Sequence, residues 1–176
     1  MNKNNKTGVT GVYFDKRINK YQAQISVLGQ KVRLGTYLTL SEAQRVREEK
    51  EKEFEEKGFI QTAIDVFNPN MDIYTAKILF LICACDHHIT QKKEGYGFKE
   101  DFYKRLKDSK ISLQNPHKSF IKLTGVWVGE DRLIMDDFIE GKSVAQIAKK
   151  FAFSRTQMDR KIVSNLKRLN FTSAFE

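Results

Sequence analysis

A chain of 176 residues has room for one large or two small domains, and its 40% hydrophobic content suffices for ordinary cores. The formal net charge of +9 is unevenly spread: residues 1–40 hold seven Lys/Arg against one acid, residues 141–170 hold eight against one, and the rest is net acidic. Two basic ends fit two separate polyanion contacts better than a uniformly basic tail; the alternative is a basic protein with no nucleic-acid role. The two cysteines, Cys83 and Cys85, lie two apart in an apolar run, which excludes a disulfide framework and points to reduced thiols in a cytosolic protein. The opening MNKNNKTG has no apolar h-region, so a signal peptide is not expected. Ile78 to Ala84 is too short an apolar run to span a bilayer.

Three strands come first. Val12 and Phe14 alternate with Tyr13 and Asp15; Tyr21, Ala23, Ile25 and Val27 alternate with Gln22, Gln24 and Ser26; Val32 and Leu34 alternate with Lys31 and Arg33. Period-two alternation predicts half-buried strands, with turns at Asp15 to Lys20 and at Leu28-Gly29-Gln30. Thr39-Leu-Ser-Glu42 has capping-box spacing, so a helix should start near Leu40 and stop at Gly58. Leu40, Ala43, Val46 and Phe54 give it a thin apolar stripe to cover the inner sheet face. The outward set is Tyr13, Asp15, Gln22, Gln24, Ser26, Lys31 and Arg33, with Arg17 and Lys20 at the turn. Arg and Gln can contact base edges bidentately, and a small sheet fits the DNA major groove. A solvated sheet face would carry the same residue types.

This segment resembles an AP2/ERF-type DNA-binding domain, of the versions found in phage and mobile-element proteins. The matching residues are Gly11-Val12, Lys20-Tyr21-Gln22-Ala23-Gln24-Ile25, Val32-Arg33-Leu34-Gly35-Thr36-Tyr37 and the helix opening Leu40-Ser41-Glu42-Ala43, about a third of the chain. The resemblance implies DNA contacts at Thr10, Gly11, Tyr13, Asp15, Arg17, Gln24, Ser26, Lys31, Arg33 and Thr36. Thr10, Tyr13, Asp15, Arg17 and Ser26 stand where the family places Arg or Trp, so the sequence preference of the plant members does not transfer. Asp15 would repel phosphate unless it pairs or accepts from a cytosine amino group.

In the middle, Asn68-Pro69-Asn70 marks a turn. Asp72 then caps a helix from Ile73 to about His87 that is apolar nearly all round, as a helix central to a core should be. A loop is expected from Lys92 to Gly97, then an amphipathic helix from about Lys99 to Lys107 with Phe102, Tyr103 and Leu106 inward. Asn115-Pro116 makes another break, and Phe120 to Val128 forms an apolar stretch leading to Gly129. Cys83, Cys85, His87 and His88 suggest a metal. Cys85 lies on the opposite helix face from Cys83 and His87, and no second ligand pair follows, so no metal or other cofactor is expected. His87-His88, Asn115 and His117 are the letters available to an HNH-like homing nuclease; their spacing does not fit a compact β-β-α-metal unit, which makes a nuclease relative the third reading of the chain. No catalytic residues are assigned.

The C-terminal part reads as three short helices: Arg132 to Ile139 ended by Gly141, Ser143 to Phe151, and Arg155 to Leu169 capped by Ser154. This is the helix-turn-helix layout. It resembles region 4 of the sigma-70 family and related phage late-gene regulators, through Gly141-Lys142-Ser143, Ile147-Ala148, Ser154-Arg155-Thr156-Gln157-Met158 and Leu166-Lys167-Arg168-Leu169. That resemblance implies a recognition helix exposing Arg155, Thr156, Gln157, Asp159, Arg160 and Lys161. Arg155, Gln157 and Arg160 suit base edges, and Lys142, Ser143, Thr156 and Lys161 suit phosphates. A three-helix bundle used only for protein contact is the alternative.

The expected fold is α+β: a three-stranded antiparallel sheet with one packing helix over residues 1–60, a helical connector over 61–130, and a helix-turn-helix over 131–176, the last two forming one helical domain. The expected function is non-catalytic, sequence-specific binding of double-stranded DNA, as a phage or mobile-element transcription regulator in the bacterial cytoplasm, associated with the nucleoid and not with a membrane. RNA polymerase or another host protein, or a second copy in a homodimer, are compatible further partners. A second reading is a phage-encoded inhibitor that binds a host nucleic-acid enzyme, such as a CRISPR nuclease or RNA polymerase, through the helical half.

Overall fold

The computed structural model describes residues 7–89 and 97–172. It is an α+β fold in two compact units, the first ending at Gly58 and the second beginning at Phe59.

In the first unit β1 (Val12–Asp15), β2 (Lys20–Val27) and β3 (Gln30–Tyr37) form an antiparallel sheet of order β1-β2-β3. Leu28 and Gly29, both at positive φ (49° and 77°), close the second hairpin. Such two-residue turns match the right-handed twist of the flanking strands. Helix α1 (Leu40–Lys57) starts at Thr39, whose side chain accepts from Glu42 N at 3.2 Å, and stops at Gly58. Its apolar stripe is thin, with Ala43 alone fully buried. Ion pairs at i,i+4 spacing lace the helix, Arg45–Glu49 and Glu53–Lys57 on its exposed side, each worth a few tenths of a kcal/mol, about 0.3–0.5, and Arg47–Glu51 at its sheet-facing edge, where the Arg47 side chain is mostly buried. Helix and sheet meet through Ala23 and Ala43, both fully buried beside Val12 and ringed by Val9, Tyr21, Leu34, Tyr37 and Leu40. Two alanines at the crossing let the backbones approach closely.

Strict alternation along β3 would send Thr36 inward and Tyr37 outward. A bulge reverses this: Ala23 pairs with Gly35 and Gln24 with Arg33, leaving Leu34 as an extra residue. One extra residue flips the face of everything beyond it. Leu34 and Tyr37 therefore both turn to the core, and the Tyr37 hydroxyl donates to Leu34 O at 2.9 Å. Phe14, expected inward, is 40% exposed on β1, its ring 5.0 Å from that of Tyr21.

The second unit holds α2 (Phe59–Phe67), α3 (Ile73–His88), α4 (Phe98–Asp108), α5 (Pro116–Thr124), α6 (Gly129–Ile139), α7 (Val144–Lys150) and α8 (Arg155–Lys167). Asp72 caps α3, accepting from the backbone of Tyr74 and Thr75. Helix α3 packs against α2, α4, α5, α6 and α8, as its all-round apolar surface requires. Phe80 is its centre, with the rings of Phe59, Phe98, Phe102 and Phe138 at 5.3–5.8 Å. Helix α2 was not expected, although Ile60, Ala63, Ile64 and Phe67 show helical spacing; it follows Gly58 directly with no cap to announce it. The Asn115-Pro116 break proves to be a helix start: Asn115 accepts from Lys118 N and Pro116 occupies the first turn, where its missing N–H costs nothing. The loop expected from Lys92 to Gly97 lies, apart from Gly97, outside the described residues.

Among the described residues no helix is long and apolar enough to cross a membrane. Cys83 and Cys85 are free, and burial pushes both thiols up to about 12.

Candidate nucleic-acid interface

Helix α1 covers one face of the sheet. On the other face the ladder sets out cross-strand rows: Asp15 beside Lys20; Tyr13, Gln22 and Thr36; Gln24 and Arg33; Ser26 and Lys31. The bulge is what brings Thr36 into this set. Gly11 (φ 76°) fixes the entry to β1. A Cβ there would lie 2.4 Å from Gln24 O and 2.9 Å from Arg47 Nε, so no larger residue fits.

Within these rows the expected residues behave differently. Thr10, Lys20, Ser26, Lys31, Arg33 and Thr36 are exposed, and Gln24 is half-buried. Lys20, Lys31 and Arg33 have no ion-pair partner among the described residues. Gln22 stands on the expected face but is only 6% exposed: it accepts from the Tyr13 hydroxyl at 2.6 Å and donates to Asp15 Oδ2 at 2.7 Å. Asp15 in turn accepts from the Arg17 side chain and backbone. Those hydrogen bonds, the guanidinium's first, hold its carboxyl below the usual carboxylate range. Gln22 is thus a buried bridge between Tyr13 and Asp15. Tyr13, Asp15, Arg17, Ile18, Gln22 and Arg33 line one shallow depression.

The second candidate surface is built by α6, α7 and α8. Ser143 and Ser154 each start a helix through a reciprocal capping box, with Gln146 and Gln157. Between α7 and α8, Ala152 takes the left-handed conformation (φ 58°) and Phe153 N donates to Ala148 O at 3.0 Å. The small, buried Ala148 lets the two helices close up. Ile147, Met158 and Ile162 are fully buried beneath. The α6–α7 turn is tied to the core: Lys99 donates to Gly141 O at 2.6 Å while lying 4.7 Å from the Phe59 ring centre.

Arg155, Thr156, Gln157 and Arg160 are exposed on α8, and neither arginine has an ion-pair partner among the described residues. The Gln157 carbonyl is occupied by its capping bond from Ser154 N at 3.0 Å, and the Ser143 hydroxyl by Gln146. Lys161 points instead toward the start of α6, 3.0 Å from Glu130 and 3.6 Å from Asp131, and the Glu130 hydrogen bond pushes its pKa up. Lys142 and Lys150 both pair with the buried Asp137. Burial raises the Asp137 carboxyl, but the two lysines outweigh burial and hold it below its usual value. Lys142, Ser143 and Lys161 therefore serve the fold of this surface as it stands. Ser164 and Lys167, both exposed, extend the Thr156–Arg160 stripe at i+4 and i+7. Sequence reasoning missed these two, although the spacing marks them.

Compared with family models, with curated proteins and with solved structures, the chain matches none.

Proposed function

We propose that this protein is a non-catalytic, sequence-specific binder of duplex DNA with two reading surfaces, the outer face of the β1–β3 sheet and helix α8. The carrying observation is the outer sheet face: rows of Tyr, Gln, Arg, Lys, Ser and Thr side chains, with three cations that have no ion-pair partner among the described residues and α1 on the opposite side. Such a face has hydrogen-bonding groups for base edges and charge for phosphates. Exposed Arg155, Thr156 and Arg160 at the start of α8 repeat that combination in the second unit. Two modest affinities multiply when both surfaces engage one duplex. The resemblance to phage AP2-type and sigma region 4-like modules makes transcription regulation the first biological reading, in the cytoplasm.

Selection of bound duplexes from a random pool, followed by footprinting across a salt series, is the direct test. The reading expects one enriched sequence, and a footprint that survives moderate salt while non-specific binding falls steeply. No enrichment over the random pool overturns it. For the second unit alone, Ile121, Val128 and Leu133 favour a different reading, contact with a host nucleic-acid enzyme such as RNA polymerase: these apolar side chains are more than half exposed on α5, α6 and their link, Val128 at 72%. Tight binding to such an enzyme, with no footprint from α8, would support that alternative.

A further inference from the structure

An aspartate on a polyanion-binding face is a liability unless something neutralises it. Asp15 is neutralised, and by a group with unused donors. Its Oδ1 accepts from Arg17 Nε at 3.2 Å and from Arg17 N at 3.0 Å; its Oδ2 accepts from Arg17 Nη2 at 3.0 Å. The guanidinium thereby commits one edge, Nε with Nη2, to the carboxylate. The planar group retains its end edge, an Nη1 proton and an Nη2 proton lying side by side. The Arg17 side chain is 87% exposed and that of Asp15 8%. Behind the carboxylate stand Gln22, donating to Oδ2 at 2.7 Å, and Tyr13, donating to Gln22 at 2.6 Å. The carboxylate is held from both sides and cannot turn without breaking bonds to Gln22 and Arg17.

Resting on the DNA-binding reading above, we infer that Asp15 is a positioning residue that makes Arg17 a reader of guanine and not a phosphate contact. The ion pair is net neutral, so the counterion-driven attraction of a free cation is largely cancelled. What survives is hydrogen-bonding geometry: two parallel donors match two adjacent acceptors, and in the major groove only guanine presents such a pair, O6 and N7. A phosphate also offers two acceptors, but draws on the charge that Asp15 removes. Lys20 and Lys31, without acidic partners among the described residues, keep the full charge that phosphates draw on.

The test measures the wild type, Asp15→Asn, Arg17→Ala and the double variant on the selected duplex, its single-base variants and random duplex, at several salt concentrations. Arg17→Ala should lose discrimination for guanine at one position by roughly 5- to 150-fold, the span of a good bidentate pair. Asp15→Asn should lose most of the same discrimination, yet bind random duplex at least as tightly and with a log–log salt slope steeper by about one. The double variant should match Arg17→Ala at that position, because Asp15 acts through Arg17. Guanine preference unchanged in Asp15→Asn overturns the assignment. If Asp15→Asn unfolds, Arg17→Lys decides: charge without the fork should abolish the preference and keep random binding, whereas a retained preference overturns the assignment. A wild type that selects no sequence sinks the DNA-binding reading and this assignment with it. A selected site lacking a guanine that depends on Arg17 sinks this assignment alone.

Discussion

At the residue scale, Arg33 and Arg160 are the sharpest probes of the two surfaces, being exposed and without ion-pair partners among the described residues. Arg33→Ala is expected to cost roughly 1–3 kcal/mol on a selected duplex and to relax preference at one position, and Arg160→Ala to do the same elsewhere in the site. Competition assays with single-base variants read both; an equal loss on random duplex would demote either residue to a phosphate contact. His88 offers a test of a different kind. It sits against Phe98 and Phe138, and its buried Nε2 has no hydrogen-bond partner among the described residues. Burial, and secondarily the neighbouring His87, push its pKa down, with Asp159 opposing. A depressed base binds fewer protons folded than unfolded, so stability should fall as pH drops through the unfolded imidazole range. Urea midpoints compared between about pH 7.5 and 5.5 should show that fall in the wild type and little of it in His88→Phe. Strand alternation identified the outward residues of β1 and β2 but sent Thr36 inward, and it did not show that Gln22 and Asp15 would be consumed by each other. That depends on register: Gln22 meets Asp15 only because β1 and β2 pair Tyr13 with Gln22.

At the element scale, capping chemistry was the most legible signal. Thr39, Asp72, Ser143 and Ser154 each mark a helix start and each accepts from the backbone of the following turn. Helix α6 begins three residues earlier than the sequence suggests, because Gly129 and two acids, Glu130 and Asp131, can open a first turn without a side-chain cap. The α7–α8 turn carries a correctable flaw, since Ala152 is exposed and held at φ 58°. A left-handed alanine costs about 1–2 kcal/mol that glycine avoids, part of it offset by glycine's larger unfolded-state entropy. Ala152→Gly should therefore raise the stability of the second unit by about 0.5–1 kcal/mol, seen as a higher Tm with unchanged far-ultraviolet dichroism. A lower Tm would mean that the turn does not hold this conformation.

For the whole molecule, the second unit depends on α3 and above all on Phe80, fully buried among four other phenylalanines. Phe80→Ala should destabilise it by about 3–5 kcal/mol. Trp127, the single tryptophan, is buried in that unit and donates from its indole to Asn165 O at 3.0 Å. Its fluorescence in a urea titration thus reports the loss directly. A midpoint equal to that of the wild type would show that Phe80 does not organise this core. The α6–α8 surface rests on the same core through Lys99, Phe59 and Phe138, so the variant should also weaken binding through α8 on a selected duplex.

Period-two and period-3.6 patterning, four side-chain caps and the Gly58 stop already set out, in the sequence alone, a three-stranded sheet with its helix and then a helical unit ending in three short helices. Those signals are local, written within a few residues of where they act. Only the tertiary structure decided which polar groups remain available. The β3 bulge turned Thr36 outward, α6 drew Lys161 and Arg168 toward Glu130 and Asp131, Asp137 engaged Lys142, and Asp15 engaged Arg17. The bulge depends on β2–β3 pairing, and the α6–α8 ion pairs join groups far apart in sequence. Even the local Asp15–Arg17 pair needs Gln22 from the next strand to hold its carboxylate, so availability of charge is set by packing and not by composition.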